Sequence, residues 1–390
     1  MTGPEAAQPR TPAGGTGPEA AQPRTPTGGT GPEAAQPRTP AGGTGPEAAQ
    51  PRTQPGGTAA RPDGRSEGGR PLKVVAFGGG HGLAASLRGL RHCARVLDLD
   101  ITAVVTVGDD GGSSGRLRAE RDAQLPPGDL RQAVAALASA DEFGQRTATL
   151  LQHRFAAVGD PDPLAGHAVG NLLLLGLMEL LGDPVAALDH ALAMVGARGR
   201  VLPMACHAVG IEADVRGGDP AQPGEIVTVR GQHAVAVTPG HVEAVRLVPA
   251  SPPACPPALA AIGDADWLIF GPGSWYTSVL PHLLVPELAD AIVTSRARRL
   301  VTLNLAADNE TLGLSVADHL AALHWYLPKL HVDAVLADAR WVGEPEPVHR
   351  AAESLGARLV LAPLAVADGS ARHDPESLGV ALVPVLGAAR

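Results

Sequence analysis

A short apolar strand, a run of glycines and an apolar helix open the part of this sequence that can fold. Lys73–Phe77 predicts a buried strand, residues 78–82 predict a tight turn, and residues 83–94 carry apolar side chains at helical spacing. A second apolar run at 101–107 predicts another strand. Because a strand, a helix and a strand within about 35 residues form a right-handed crossover, the pattern predicts a parallel sheet.

The alternation of helices and strands continues to the end of the chain. Between residues 201 and 248 the apolar period is two, which predicts an antiparallel insertion (about 200–250) of four or five strands, one of them at 234–237. We therefore expect an α/β fold, a mostly parallel sheet with helices on both faces, in a single domain at 72–390. The other predicted helices are 130–138, 142–155, 168–181, 184–195, 286–295 and 315–327, and the other predicted strands are 267–270, 300–305, 334–337 and 359–362.

The first 71 residues have a different character. Residues 2–57 are four copies of one 14-residue unit that contains no branched aliphatic or aromatic side chain. Ordering such a segment costs roughly 1–2 kcal/mol per residue in backbone entropy, with little apolar burial to offset it. We expect residues 1–71 to be a disordered low-complexity tail.

Charge and cysteine usage exclude several classes of protein. Residues 72–390 hold 24 basic and 34 acidic side chains, a net charge of -10, which argues against a nucleic-acid binder. Cys93, Cys206 and Cys255 are odd in number and form no C-x-x-C pair, so we expect neither a disulfide framework nor a thiolate metal site. The sequence shows no secretory signal and no span, since its longest apolar run, 172–181, is too short. These features predict a cytoplasmic protein.

Glycine loops follow three of the predicted strands, on the sheet edge where ligands of open parallel sheets bind. In the first loop, residues 78–82, glycines let the backbone approach a phosphate, and the following helix N-terminus adds partial positive charge. The dinucleotide pattern G-x-G-x-x-G fails because Leu83 stands at its third glycine, and a Walker lysine is missing. The alternative is a tight turn without a ligand.

The second loop places two adjacent carboxylates, Asp109 and Asp110, at the carboxyl end of a strand. Carboxylates there accept ribose hydroxyls or hold Mg²⁺ through a phosphate, so Asp110 is a candidate metal ligand. The alternative is a surface turn whose acids cap a helix at 116–121. The residues that follow offer N–H groups, hydroxyls and a bidentate donor for phosphate oxygens: Gly111, Gly112, Ser113, Ser114 and Arg116.

Three polar side chains elsewhere join the candidates. Asp129 follows Pro126-Pro127-Gly128 and is predicted to cap the helix at 130–138. His167 and Asn171, four residues apart, are expected on one face near the start of the helix at 168–181. Taken alone, such a histidine is more often a capping or core group than a catalytic one.

The third glycine loop, residues 271–278, directly follows the predicted strand at 267–270. It adds hydroxyls and two aromatic rings to the expected ligand edge. Tyr276 is a candidate to stack on a base or a sugar, and the alternative is an aromatic residue on the rim of the site.

Six ordered motifs together carry a resemblance. They are Phe77–Leu83, Thr102–Arg118, Leu125–Arg131, Leu151–Phe155, Gly166–Leu172 and Gly271–Ser278. Through these motifs the chain resembles the bacterial gluconeogenesis factor family. The resemblance extends from about residue 72 to 337. The family is related in fold to the 2-phospho-lactate transferases of coenzyme F420 biosynthesis. Members of the family commonly have threonine where His81 stands, and their counterpart of Asn304–Thr311 is one residue longer.

The resemblance implies a Rossmann-like cytoplasmic protein that binds a UDP-sugar, UDP-N-acetylglucosamine in particular. It implies a regulatory role in cell shape and peptidoglycan synthesis during growth on gluconeogenic carbon, with no established turnover and no required cofactor. We also expect a homo-oligomer and contacts with cell-wall regulatory proteins. The residues expected to bind the ligand are Gly78, Gly79, Gly80, His81, Gly82, Asp109, Asp110, Gly111, Gly112, Ser113, Ser114, Arg116, Asp129, Arg131, His167, Asn171, Gly271, Gly273, Ser274, Tyr276, Thr277, Ser278 and Asn304.

Two further functions compete with the regulator. In a transferase of the phospho-lactate type, Asp110 with Mg²⁺ would neutralise the developing pyrophosphate charge, without a covalent intermediate. Such an enzyme needs a second pocket for a deazaflavin, and aromatic residues make up only 3% of this chain. A scaffold protein would leave the three glycine loops without a purpose. Fold similarity alone does not separate a regulator from an enzyme.

Overall fold

The computed structural model describes residues 70–388 except 220, 307, 308 and 312, and of residue 309 it describes the backbone only. The predicted disordered tail, residues 1–71, therefore lies outside the described residues apart from Arg70 and Pro71.

Seven parallel strands form the main sheet, in the order β10-β9-β8-β7-β1-β2-β3, and three more form a small antiparallel sheet in the order β5-β4-β6. The predicted α/β fold with a mostly parallel sheet is confirmed. The strands are β1 (Leu72–Gly78), β2 (Leu99–Val105), β3 (Arg200–Pro203), β4 (Gly210–Arg216), β5 (Ile226–Arg230), β6 (His241–Val248), β7 (Trp267–Phe270), β8 (Arg298–Thr302), β9 (Ala334–Asp338) and β10 (Arg358–Ala362).

Most helices connect or cover the strands of the main sheet, and two single-turn elements, a π-helix at Trp275–Val279 and a 3₁₀ helix at Asn309–Thr311, lie in loops. The α-helices are α1 (Gly80–Cys93), α2 (Gly112–Arg121), α3 (Pro127–Leu137), α4 (Glu142–Gln152), α5 (Val169–Leu181), α6 (Pro184–Met194), α7 (Gln232–Ala236), α8 (Pro256–Gly263), α9 (Pro281–Leu284), α10 (Pro286–Thr294), α11 (Val316–Tyr326), α12 (Pro345–Ser354) and α13 (Pro375–Gly387).

The order of the strands reverses at β1. From β1 the chain adds β2 and β3 on one side, whereas β7, β8, β9 and β10 extend the sheet on the other side. Val74 of β1 therefore pairs with Ile101 of β2 and with Trp267 of β7. In open parallel sheets, ligands bind beyond the carboxyl ends of the strands at such a reversal. The fold thus places the candidate site between the loops after β1 and β7.

The central strands are buried on both faces, which explains why they read as continuous apolar runs in the sequence. Phe77 of β1 stacks on Phe270 of β7 with ring centroids 4.8 Å apart, and the ring of His282 meets Phe77 edge-on. Burial lowers the pKa of His282 to about 4, so this imidazole is neutral at physiological pH. His282 is therefore a core residue behind the ligand edge of the sheet.

The structure corrects the predicted insertion. β3 pairs in parallel with β2 in the main sheet, so only three strands of this region are antiparallel. The predicted strand at 234–237 is instead the last part of α7. Gly231, with φ 99°, turns the chain, and the Asp110 carboxylate accepts the N–H of His233 in the first turn of the helix. This long-range hydrogen bond, invisible in a local pattern, favours a helix there.

The structure also corrects the predicted role of Asp129 as a helix cap. α3 begins at Pro127 with Pro126 as its N-cap, so Asp129 lies inside the first helical turn. Proline is favoured at the first position of a helix because its missing N–H has no partner there in any case. The Asp129 carboxylate is consequently free of the capping role and points to the neighbouring β1–α1 turn.

Two other expectations concern the cysteines and membranes. Cys93, Cys206 and Cys255 are free thiols. Among the helices in the described part of the chain, none combines the length and apolarity needed to cross a bilayer.

Candidate functional site

A cavity of ≈ 880 Å³ opens beyond the carboxyl ends of β1, β2 and β7. Its size falls in the range of about 300–1,000 Å³ that is typical of small-molecule sites. The loops after these three strands supply one wall. The other walls come from α3, from α7, which lies between β5 and β6, and from the segment that precedes α13.

The two glycine loops after β1 and β7 pack directly on each other. A Cβ atom at Gly82 would lie 2.3 Å from the carbonyl oxygen of Pro272, so only glycine fits there. The Ser86 hydroxyl donates a 2.8 Å hydrogen bond to the carbonyl of Gly271. Asn304, after β8, accepts the N–H of Gly273 at 2.8 Å and donates to its carbonyl at 2.9 Å. These contacts fix the floor of the cleft before any ligand binds.

The serines of the second loop are held by hydrogen bonds to other helices. Ser113 Oγ lies 2.9 Å from His167 Nδ1 and accepts the Asn171 side-chain amide at 2.9 Å. Ser114 Oγ accepts the N–H of Gly128 at 3.0 Å. His167 and Asn171, predicted on one helical face, both contact the Ser113 hydroxyl, although His167 precedes α5 and does not line the cleft.

Two charged residues of the second loop point away from the cleft. The Asp110 carboxylate accepts the N–H of His233 at 2.8 Å, and it does not line the cavity. The guanidinium group of Arg116 donates to the carbonyls of Ala165 and Pro163, both at 2.7 Å. Each side chain therefore has a structural partner, and the carboxylate of this loop that faces the cavity is that of Asp109.

Asp109 and Asp129 form a pair of carboxylates in the cleft. Burial and the nearby charge of Asp109 raise the pKa of Asp129, the N–H of Gly80, the charge of Arg131 and the side chain of Gln232 lower it, and the result is a pKa of about 7. Asp129 is therefore partly protonated at neutral pH.

A cationic side of the cleft lies beside this acid pair. Three arginines contribute the charge: Arg88 on α1, Arg131 on α3 and Arg154 just after α4. His81 lies on the same face of α1 as Arg88. Burial lowers the pKa of His81, and the charges of Arg131, Arg88 and Arg154 lower it further. Arg131 is only 4% exposed, whereas Arg88 and Arg154 are open to solvent within the cleft.

The segment between β10 and α13 closes the far side of the cleft, where Val366, Arg372 and His373 line the cavity. Asp338, at the end of β9, anchors this segment. It is 3% exposed and accepts the N–H groups of Leu364 at 2.5 Å and Ala365 at 3.0 Å. Burial opposes its ionisation, but the backbone N–H groups hold the pKa of Asp338 below its ordinary value.

Buried polar atoms without a hydrogen-bond partner concentrate in this cleft. Native proteins pair nearly all such atoms, so a cluster of exceptions marks a place where a ligand or water binds. Within the described residues, five cleft-lining side chains carry one: Asp129 Oδ2, Arg131 Nε, Asn171 Oδ1, Gln232 Oε1 and His373 Nε2. The set offers both hydrogen-bond donors and hydrogen-bond acceptors to a bound ligand.

Most residues predicted to bind the ligand line this one cavity. Those that do are Gly79, Gly80, His81, Gly82, Asp109, Gly111, Gly112, Ser113, Ser114, Asp129, Arg131, Asn171, Gly273, Ser274, Thr277, Ser278 and Asn304. Those outside the lining are Gly78, Asp110, Arg116, His167, Gly271 and Tyr276.

Tyr276 illustrates why some predicted residues lie elsewhere. The π-helix at the end of the third glycine loop turns the Tyr276 side chain into the core, where it is 6% exposed. Burial raises the pKa of Tyr276 to about 12. Its backbone N–H donates to Glu310 at 2.8 Å, so the residue supports the loop from behind.

Sequence reasoning missed several lining residues. Arg154 belongs to the motif Leu151–Phe155, which signalled it without giving it a role. Arg88 lies seven residues after His81, two helical turns along the same face of α1, and this spacing is a readable signal. Residues 366–375 and α7 carried no signal, because only the tertiary fold brings them to the cleft. The missed lining residues are Ala85, Arg88, Gly128, Gln132, Arg154, Gln232, His233, Ala236, Pro272, Leu305, Ala306, Val366, Ala371, Arg372, His373 and Pro375.

Asp110, the predicted Mg²⁺ ligand, accepts the N–H of His233 through Oδ1 and does not line the cleft. Among the described residues, no group of three or more His, Cys, Asp or Glu side chains is arranged to hold a metal ion. Two carboxylates, Asp109 and Asp129, do line the cleft, and Asp129 Oδ2 has no hydrogen-bond partner there. A phosphate-bound Mg²⁺ would therefore be held by this pair.

Fold and cleft define a class: a Rossmann-like α/β protein with a polar, ligand-sized cavity at the reversal of strand order. Comparison with known proteins is more specific. A family model described as 2-phospho-L-lactate transferase CofD matches residues 74–359. The chain belongs to this family, and its curated relatives, described next, place it with the gluconeogenesis factors, as the six motifs indicated.

Relatives match over most of their own length. A Mycobacterium tuberculosis (strain H37Rv) protein named "Putative gluconeogenesis factor" is 50% identical over 313 residues, which cover 79% of this chain and 89% of the relative. The gluconeogenesis factor of Bacillus subtilis (strain 168) is 36% identical over 293 residues, covering 75% of this chain and 86% of the relative. A solved Bacillus halodurans structure of the upf0052 family is 34% identical, with a TM-score of 0.69, and covers 81% of this chain and 100% of its own.

Proposed function

We propose that the cleft binds a UDP-sugar, UDP-N-acetylglucosamine in particular, and that the chain acts as a nucleotide-sugar-dependent regulator of cell shape and cell-wall synthesis. The observation that carries this proposal is the set of five partnerless buried polar atoms in one ligand-sized cavity. A nucleotide sugar carries the hydroxyl and amide groups and the anionic diphosphate that such a mixed set of donors and acceptors can satisfy.

A regulator is preferred over an enzyme because of what the described part of the cleft offers. The serines that line the cleft at the start of α2, Ser113 and Ser114, hold other helices through their hydroxyls. Desolvation lowers the pKa of the half-buried His373 to about 4, and it also lowers the pKa of His81, so both are neutral at pH 7. These groups suit binding of a neutral sugar and its diphosphate. The remaining expectations, a homo-oligomer, a cytoplasmic location and cell-wall regulatory partners, belong to the same proposal.

Thermal unfolding of the full chain tests the proposal. UDP-N-acetylglucosamine at 100 times its dissociation constant is expected to stabilise the protein by roughly 2.7 kcal/mol, because a ligand that binds only the folded state shifts unfolding by mass action. UDP-glucose, GDP and NADH are the comparison ligands, each with and without Mg²⁺. A shift with GDP alone would contradict the proposal.

A second candidate is a Mg²⁺-dependent transferase of the phospho-lactate type, favoured by the description of the matching family model. In that case Asp109 and Asp129, the carboxylates that line the cleft, would hold the ion, which would neutralise charge on the phosphates. The transferase predicts that EDTA abolishes ligand binding and that Asp109→Asn does the same. The regulator predicts binding in EDTA.

A further inference from the structure

The cationic side of the cleft has an unusual charge balance. His81 and Arg88 lie on α1, Arg131 on α3 and Arg154 after α4, and each line the same cavity. Within the part of the chain that the structure describes, no side-chain hydrogen bond or ion pair engages the Arg88 guanidinium. Arg154 donates only to the carbonyl of Gly166 at 2.8 Å. We call the three arginines the cationic cluster, and His81, which is neutral at pH 7, lies beside them.

Arg131 is the buried member of the cationic cluster. It is 4% exposed, its Nη1 donates to the side-chain oxygen of Gln152, and its Nε has no partner. Gln152 and Arg154 both come from the motif Leu151–Phe155, so this motif positions one arginine and supplies another. A buried guanidinium with an unpaired donor, beside two arginines that form no ion pair in the described residues, favours binding of an anion in the cleft.

The glycine turn after β1, which the sequence predicts as the phosphate seat, lies against the Asp129 carboxylate. A Cβ atom at Gly79 would lie only 2.5 Å from Asp129 Oδ2, and one at Gly80 would lie 3.6 Å from Asp129 Oδ1. This carboxylate takes the place beside the α1 N-terminus that a phosphate would need. Asp109 lies close by and adds a second negative charge. A phosphate at this turn would be repelled.

We propose that the cationic cluster binds the phosphate groups of the ligand, in place of the glycine turn. The inference rests on the proposed function for the identity of the ligand, a nucleoside diphosphate derivative. The anion seat itself depends only on the arginines. Each guanidinium can form charge-assisted, bidentate hydrogen bonds to phosphate oxygens, which a turn already capped by a carboxylate cannot.

Calorimetric titration of the full chain tests this assignment, with UDP-N-acetylglucosamine and inorganic pyrophosphate as separate probes in EDTA. Arg88→Gln and Arg154→Gln are expected to weaken the binding of both probes about tenfold or more each, since each removes charged hydrogen bonds. Arg146→Gln is the matched control. Arg146 lies on α4 outside the cleft, pairs with Glu142 on the surface, and is expected to leave both affinities within about twofold of the wild type.

The outcomes separate the seat from the ligand. Unchanged affinity of both probes in the two cluster variants would overturn the inference. Loss of binding in EDTA or in Asp129→Asn would also overturn it, because the phosphates would then be held by a metal ion at Asp109 and Asp129. If the wild type binds pyrophosphate through the cluster but not UDP-N-acetylglucosamine, the seat stands and the proposed function fails. Binding of neither probe defeats both. Unfolding curves without ligand show whether each variant is folded.

Discussion

Asp129→Asn is expected to change the free energy of unfolding more favourably at pH 8 than at pH 4, by on the order of 3–4 kcal/mol. Asp129 is 7% exposed, and burial, together with Asp109, raises its pKa to about 7. The variant keeps an oxygen that can accept the N–H of Gly80 while removing the buried negative charge. At neutral and higher pH the wild type must ionise this carboxyl in a poor environment, and the variant does not.

The sign follows from proton linkage. Because the pKa of Asp129 is higher in the folded than in the unfolded protein, the folded state binds more protons between about pH 4 and pH 7. The wild type therefore loses stability as the pH rises through this window and levels off above it. His282 and His373, whose pKa values burial lowers to about 4, titrate in an overlapping range but are common to both proteins and cancel in the difference.

Urea unfolding at pH 4, 6 and 8 measures this difference. Asp141→Asn is a control of opposite sign, because Asp141 caps α4 and the N–H of Gly144 lowers its pKa. That variant is expected to lose stability at neutral pH. If the difference in unfolding free energy between Asp129→Asn and the wild type is the same at pH 4 and pH 8, the pKa of Asp129 is not raised in the folded protein.

Asp338→Ala is expected to destabilise the protein by about 3–5 kcal/mol. The Asp338 carboxylate accepts the N–H groups of Arg340 and Trp341 through Oδ1, at 2.7 and 3.1 Å, and those of Leu364 and Ala365 through Oδ2. Removing it leaves four donors without their acceptor beside β9. The loss falls on the segment that leads to α13, which forms the far wall of the cleft.

Two measurements check this expectation. Urea unfolding gives the change in stability, and limited trypsin digestion reports on the wall, because Arg372 lies exposed within it. Faster cleavage after Arg372 is expected in Asp338→Ala. Asp368→Asn is the control: Asp368 contacts Ser370 and Arg372 on the surface, and its replacement is expected to leave the unfolding midpoint unchanged. If Asp338→Ala unfolds like the wild type, the carboxylate does not anchor the wall.

That wall extends beyond the part of the chain that the family model covers. The model matches residues 74–359, and the cleft-lining residues before α13 begin at Val366. The glycine loops and the acid pair lie within the matched part. Loop segments outside a common framework tolerate change more readily than the elements that carry it. We expect differences in ligand preference within the family to depend on this wall.

The periodicity of the sequence was sufficient for the sheet and for the edge on which the cleft lies. Strands β1 and β7 and the last three residues of β2 are buried, so they are continuous apolar runs, and glycine loops follow them where backbones approach closely. The short helix α7 was read as a strand because its capping carboxylate, Asp110, lies more than a hundred residues earlier in the chain.

The sequence by itself determined the class of fold, the family and the three loops that surround the ligand edge, because these depend on local pattern and on residue types at fixed spacing. Only the tertiary structure decided where the charges point. Asp129 covers the glycine turn, Asp110 and Arg116 turn away, and Arg88 and Arg154 face the cleft. The direction of a side chain depends on the partners that packing brings to it, and those partners come from segments far apart in the chain.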